Sequence, residues 1–267
     1  RSFTQYRHQN QKPKSPQNKT NLSKMETVRP YLNAMPGAIY LTDLPLITNI
    51  ALVSNIMLAL SPMTSVIKMI RTGDVTCVPK PFIIAQNVSS TLWAMYGIIA
   101  ADDLSLFSSG TAEIFAFFYL VSLSAVARDG KFFLGMLAFL VSEVYFLGFH
   151  ASEDIIGTLG VCTTLSLFVA PLGALRGVLG TKNNGTLNYP VAFIGFISCI
   201  ACVVYGLLQM DPYVFYPNLI GGILSLTQLT VFHWAAGHLP HGFPSIIALK
   251  LLFGVKEEES KKTKTDQ

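Results

Sequence analysis

The chain has 267 residues, of which 51% are hydrophobic and only 13% charged, with a net charge of +4. A soluble domain carries about 25% charged residues, so this chain has too few to clothe a water-facing surface. Seven of its 19 Lys and Arg lie in the first 29 residues and most others flank apolar stretches, which leaves no folded basic face for nucleic acid.

Residues 1–45 are basic and rich in Asn, Gln, Pro and Ser, a composition that cannot bury enough apolar surface to fold. They are expected to form a disordered tail. Asn18 and Asn21 head glycosylation sequons, which matter only on a lumenal face. Met25 is a candidate start of translation.

Seven apolar segments follow, at about 46–71, 80–101, 104–127, 132–150, 154–178, 188–210 and 213–236. Each is close to the roughly 20 residues that a bilayer requires. Backbone hydrogen bonding in lipid makes them helices. The stretch after 236 is apolar but broken by Pro and Gly, and a charged tail starts at Lys256. Residues 237–267 are read together as a cytosolic tail.

The loops alternate in charge. Those after the first, third and fifth segments carry Lys68, Arg71, Lys80, Arg128, Lys131, Arg176 and Lys182. The other three carry Asp102, Asp103, Glu153, Asp154 and Asp211 and no Lys or Arg. The positive-inside rule then places the C-terminus in the cytosol and the N-terminus outside. The basic N-terminal tail runs against this, less so if translation starts at Met25. The plasma membrane is the expected location.

A shift of 109 residues superposes the chain on itself without a gap. Pro62 meets Pro171, Pro81 meets Pro190, and Ser89 meets Ser198. Tyr96-Gly97 meets Tyr205-Gly206, and Asp102 meets Asp211. The repeat spans three helices, 46–127 and then 154–236, with a linker helix in 128–153. Three spans reverse the side of entry, so one extra span lets the second copy enter like the first. The expected fold is therefore all-α: seven transmembrane helices in two parallel three-helix bundles joined by a linker helix, 3+1+3. Parallel repeats of this kind carry substrate near the midplane, whereas a seven-helix receptor needs no such repeat.

Over about residues 46–236 the chain resembles the SWEET sugar transporters. The resemblance rests on Ser61-Pro62, Leu92-Trp93-Ala94-Met95-Tyr96-Gly97, Ala170-Pro171-Leu172, Tyr205-Gly206 with Asp211, and Pro217-Asn218 running through Gly221 to Gln228. No Pro-Gln pair stands at the proline positions, unlike the related lysosomal amino-acid exporters. The resemblance implies facilitative, bidirectional uniport of a mono- or disaccharide by alternating access.

It also implies a site in which a Trp and an Asn from each repeat surround the sugar. This chain keeps half the set: Trp93, whose mate is Cys202, and Asn218, whose mate is Ser109. Ser89 and Ser198 stand one turn before the two Trp positions. Pro62, Pro81, Pro171 and Pro190 correspond to a hinge set. The lost Trp and Asn point to a larger cavity, or to one tuned to another sugar or to a solute that is not a sugar.

The residues themselves fit such a site. Trp93 lies nine residues before Asp102 and Asn218 seven after Asp211, about 13 and 10 Å deep at 1.5 Å per residue. An indole suits the C–H faces of a sugar, and an amide both donates to and accepts from its hydroxyls. The plainer reading is packing: Trp at a helix interface, Asn bonded to a neighbouring helix, Ser allowing close approach. Pro62 and Pro171 inside helices remove backbone bonds and kink them. Pro81 and Pro190 lie near the cytosolic ends.

Glu113 and Glu143 fall within spans, where a carboxylate can carry a proton. Glu113 is one turn from Ser109; Glu143 sits in the linker helix, away from the repeats. The alternative function is transport of another small polar solute, proton-coupled through Glu113. Cys199 and Cys202 lack further ligands nearby and read as apolar packing, so no metal is expected. No nucleophile–base pair or phosphate loop stands out, and neither an enzyme nor a cofactor is expected. The partners are a small sugar and the bilayer, and self-association into a homo-oligomer is left open.

Overall fold

Seven helical segments are long and apolar enough to cross a membrane, which follows from a chain that must satisfy its own backbone in lipid. The computed structural model describes residues 44–183, 185, 187–240 and 242–255. The expected disordered tail, the two sequons and the charged segment from Lys256 lie outside these, apart from residues 44 and 45. Among the described residues there is no strand. The protein is an integral membrane protein.

The first span is α1 (Leu44–Leu60) followed by α2 (Met63–Thr72). The second, third and fourth are α3 (Lys80–Ala100), α4 (Asp103–Ala127) and α5 (Gly130–His150). The fifth is α6 (Glu153–Leu167) with α7 (Val169–Thr181); the sixth and seventh are α8 (Tyr189–Gln209) and α9 (Pro212–Ala235). The breaks in spans one and five coincide with Pro62, which caps α2, and with Pro171 in the first turn of α7. Pro81 and Pro190 instead lie in the first turns of α3 and α8. A missing amide costs no hydrogen bond there, so these two begin helices and do not break them.

Within each repeat the third helix is central. α1 and α2 pack on α4, which packs on α3; α6 and α7 pack on α9, which packs on α8. The two bundles meet where α1 lies against α8 and α3 against α6. These contacts exchange under the 109-residue shift, so the bundles are related by a pseudo-two-fold axis and close a ring. The linker α5 packs on α3 and α4, outside the ring.

The buried core is divided unevenly. At the end of the molecule that carries Asp102 and Asp211, one cluster joins both repeats: Ile47, Ala51, Leu92, Met95 and Tyr96 pack with Ile156, Ala201, Cys202, Tyr205 and Val214. At the end rich in Lys and Arg there are two clusters. One holds Val66, Met69, Ile83, Tyr119 and Leu120 of the first bundle with Met136 of the linker. The other holds Leu175, Val178, Val231 and Trp234 of the second bundle with Ile246. One core binds the bundles at the acidic end, and each bundle keeps its own at the basic end.

Ile246 belongs to α10 (Pro244–Leu252), into which the Pro- and Gly-broken stretch folds. Its buried face docks on the second bundle, and Leu251 and Leu252 point outward.

The connections at the acidic end are built alike. Ala101 and Met210 adopt left-handed φ of 56° and 55°, and the next residue caps the following helix. Asp102 accepts from the amides of Leu104 and Ser105, and Asp211 from those of Tyr213 and Val214. The turns are this tight because Gly97 and Gly206 let the helices touch. A Cβ on Gly97 would lie 2.4 Å from the Leu106 nitrogen, and one on Gly206 2.8 Å from the Phe215 nitrogen. Backbone cannot swing aside as a side chain can. Gly97→Ala is therefore expected to destabilise the protein by about 1–3 kcal/mol through overpacking. Chemical denaturation in detergent should show it, with Gly173→Ala, which has open space at its Cβ, as the unaffected control.

Candidate functional site

A cavity of about 240 Å³ opens between the bundles, just beyond the shared core. It is lined from six of the seven spans, and polar side chains supply much of its wall. Asn55 comes from α1; Gln86, Ser89, Ser90 and Trp93 from α3; Ser105, Ser108 and Ser109 from α4. Thr164 comes from α6, Cys202 from α8, and Pro217 and Asn218 from α9. An aromatic ring beside amides and hydroxyls is the surface that a polyol with apolar faces fits.

Five of the six residues expected at a binding site line this cavity: Trp93, Asn218, Ser89, Ser109 and Cys202. The sixth, Ser198, is buried behind the wall, where its hydroxyl donates to the side-chain oxygen Oδ1 of Asn55. The prolines of the hinge set do not line it.

Trp93 is fixed across the repeat boundary. Its indole Nε1 donates to Thr164 Oγ1 at 2.8 Å, and its ring meets Tyr96 edge-on at 5.5 Å. The indole lies against α6 where Gly160 offers no side chain; a Cβ there would sit 3.1 Å from Trp93 Cε2. The mates of Trp93, Thr164 and Gly160 under the 109-residue shift are Cys202, Asn55 and Ala51. The other half of the site thus trades a large side chain on a glycine for a small one opposite an alanine. Asn55 takes up the reach, with its Nδ2 3.7 Å from Cys202 Sγ. Asn218 donates from Nδ2 to the Val214 carbonyl at 2.7 Å, one turn back on its own helix, beside Pro217.

The acidic end of the cavity is shut by two reciprocal bonds between the repeats. The Tyr96 hydroxyl donates to Asp211 at 2.7 Å, and the Tyr205 hydroxyl donates to Asp102. Both tyrosines are buried in the shared core. Each aspartate therefore caps its own repeat's third helix and holds the other repeat's second. Burial pushes the Asp211 carboxyl above its ordinary range, and the Tyr96 hydroxyl and the Val214 and Tyr213 amides pull against that rise. Tyr213 covers the plug from outside, bonded to Asp154 at 3.0 Å and edge-on to Tyr96 at 5.8 Å.

Sequence reading passed over Asn55, Thr164 and these tyrosine–aspartate pairs. Asn55 and Thr164 are polar positions in apolar spans at the repeat's own offset, a signal strong enough to have drawn them in. The tyrosines and aspartates were visible only as markers of the repeat.

The family of sugar efflux transporters for intercellular exchange matches this chain twice, over residues 45–128 and 154–237. The chain belongs to the SWEET family. It is similar to bidirectional sugar transporter SWEET11 of Oryza sativa subsp. japonica, with 28% identity over 61% of this chain and 56% of that one. It is also similar to sugar transporter SWEET1 of Drosophila pseudoobscura pseudoobscura, with 28% identity over 60% of this chain and 74% of that one. The chain thus spans little more than half the length of the rice SWEET. A solved eukaryotic SWEET transporter matches at a TM-score of 0.68 and 17% identity, covering 74% of this chain and 99% of that chain. That likeness carries the SWEET fold.

Proposed function

We propose that this chain is a facilitative, bidirectional uniporter of a mono- or disaccharide that works by alternating access. The observation that carries the proposal is the position of the polar cavity: it lies where one core shared by both bundles gives way to two separate ones. Such a molecule is closed at its acidic end and parted at its basic end. The bodies that rock are residues 46–127, with the linker 128–153 attached, and 154–236. The breaks at Pro62 and Pro171 give each bundle a joint between its shared and private core.

Trp93, Asn218, Ser89 and Ser109 contact the sugar in this reading, together with Asn55, Thr164 and Cys202. At about 240 Å³ the cavity is below the roughly 300–1,000 Å³ usual for small-molecule sites. This favours a monosaccharide in the conformation described, and a tuned site over an enlarged one. In this reading the chain lies in the plasma membrane with its N-terminus outside, and the Lys and Arg of the basic end support a cytosolic side for that end.

Counterflow tests the mechanism. Proteoliposomes preloaded with unlabelled sugar should take up the same labelled sugar transiently above its equilibrium level, because the unlabelled sugar inside competes for the carrier and slows exit of the label. Uptake that never overshoots would make the cavity a channel.

A further inference from the structure

The two repeats end their third helix on the same turn but with different chemistry. α4 runs into Arg128 and α9 towards Gly237, both left-handed, with φ of 53° and 82°. The next amide then folds back: Asp129 donates to the Ser124 carbonyl at 3.0 Å, and His238 to the His233 carbonyl at 2.9 Å. This is the Schellman end of a helix, and the 109-residue shift matches Ser124, Arg128 and Asp129 to His233, Gly237 and His238.

In the first repeat Asp129 is held by Lys80 of α3, at 2.9 Å. In the second, His238 stands in place of Asp129 and Tyr189 in place of Lys80, so that ion pair cannot form. His238 meets His233 instead. Their Nδ1 atoms are 3.3 Å apart and their ring centroids 5.5 Å, so the nitrogens face each other. His233 is half-buried, with Tyr189 of α8 edge-on against its ring at 5.5 Å; His238 is exposed.

Left to itself the pair is poorly satisfied. Its spacing lies outside the roughly 2.7–3.2 Å of a good N–H bond, and with both Nδ1 atoms unprotonated two lone pairs oppose each other. A metal ion answers both. Two nitrogens on one tetrahedral Zn2+, each about 2.0–2.1 Å from the ion, stand about 3.3–3.4 Å apart. The observed spacing is one edge of that shell. Imidazole suits Zn2+, Cu2+ and Ni2+, whereas Mg2+ and Ca2+ take oxygen. The last carbonyls of α9 also favour a cation, because they carry the negative end of the helix dipole. Lys182 and Lys250 lie over the ring of Trp234, at 5.3 and 5.2 Å. Trp234 is buried in the second bundle's core, about 100° round α9 from His233.

We infer that His233 and His238 form a binding site for a divalent transition-metal ion of the zinc class at the basic end of the second bundle. Each ring gives its Nδ1 and keeps its proton on Nε2. Among the described residues no third metal-ligating side chain joins them, so water completes the shell and the ion exchanges reversibly. The bound ion ties the last turn of α9 to the segment that leads into α10. It is the counterpart of the Lys80–Asp129 pair, which fastens the matching turn to α3.

Calorimetric titration of the full chain in detergent with ZnCl2, on protein purified without a histidine tag, tests the site. It should find one Zn2+ per chain that a large excess of Mg2+ does not displace. His233→Ala and His238→Ala should each weaken binding at least tenfold, and His150→Ala, at the acidic end, should leave it unchanged. Cu2+ reports the ligands themselves, since it binds such sites more tightly than Zn2+. Electron spin-echo modulation should count two coordinated imidazoles in wild type and one in either variant. If His233→Ala, which loses its contact with Tyr189, fails to insert, the exposed His238→Ala decides the same question. No Zn2+ bound, Zn2+ affinity unchanged in the variants, displacement by Mg2+, or a single imidazole on Cu2+ in wild type overturns the site.

Discussion

Trp93→Ala and Asn218→Ala should each weaken sugar binding by on the order of 5- to 150-fold. The first removes the ring face, and the second leaves sugar hydroxyls without a partner. Each loss is about 1–3 kcal/mol, and 1.4 kcal/mol is about tenfold. Two residues on one ligand should not act independently, so the double variant should lose less than the product of the singles. Trp93→Phe separates the two roles of the indole: it keeps a ring against Gly160 but gives up the bond to Thr164. It should fall between wild type and Trp93→Ala. Equilibrium binding of labelled sugar to purified, folded protein measures all four. Wild-type affinity in both Ala variants would make these residues packing alone.

Tyr96→Phe with Tyr205→Phe should open the acidic end. A buried hydrogen bond to a charged group is worth about 1.5–3 kcal/mol, so each bond holds the closed state by roughly 10- to 150-fold. The tyrosine is the partner to change, because Asp102 and Asp211 also cap α4 and α9 and their loss would damage the helices. In a Ser109→Cys background, a membrane-impermeant thiol reagent added from outside should react slowly. Adding the two Phe substitutions should speed that reaction by at least tenfold. An unchanged rate would mean that the shared apolar core alone holds the end shut. Rapid labelling from outside without the Phe substitutions would reverse the proposed orientation.

The fold was legible because lipid leaves few options. Apolar length gives the spans, and the 109-residue offset gives two bundles and an odd helix between them. The breaks at Pro62 and Pro171 could be read from the same pairing. Pro81 and Pro190 belong to the same expected hinge set but fall near helix ends in the sequence, and in the fold they stand where no amide is missed. For the cavity, motif and depth lead to Trp93 and Asn218, whereas Asn55 and Thr164 lie on the first helix of each repeat, outside those motifs. The closing bonds could not be read at all. Tyr96 has Asp102 six residues away along its own strand of sequence, but the ring of helices hands it Asp211 from the other repeat.

The central claim is that this cavity carries sugar down its gradient. Purified protein in liposomes, offered a panel of labelled mono- and disaccharides with and without a pH gradient, tests it most directly. At least one sugar should equilibrate in either direction faster than in protein-free vesicles, should be slowed by Trp93→Ala, and should not accumulate beyond equilibrium whichever way the pH gradient points. If no sugar in the panel enters faster than in bare liposomes, or if one accumulates against its gradient when protons flow in, the account is contradicted.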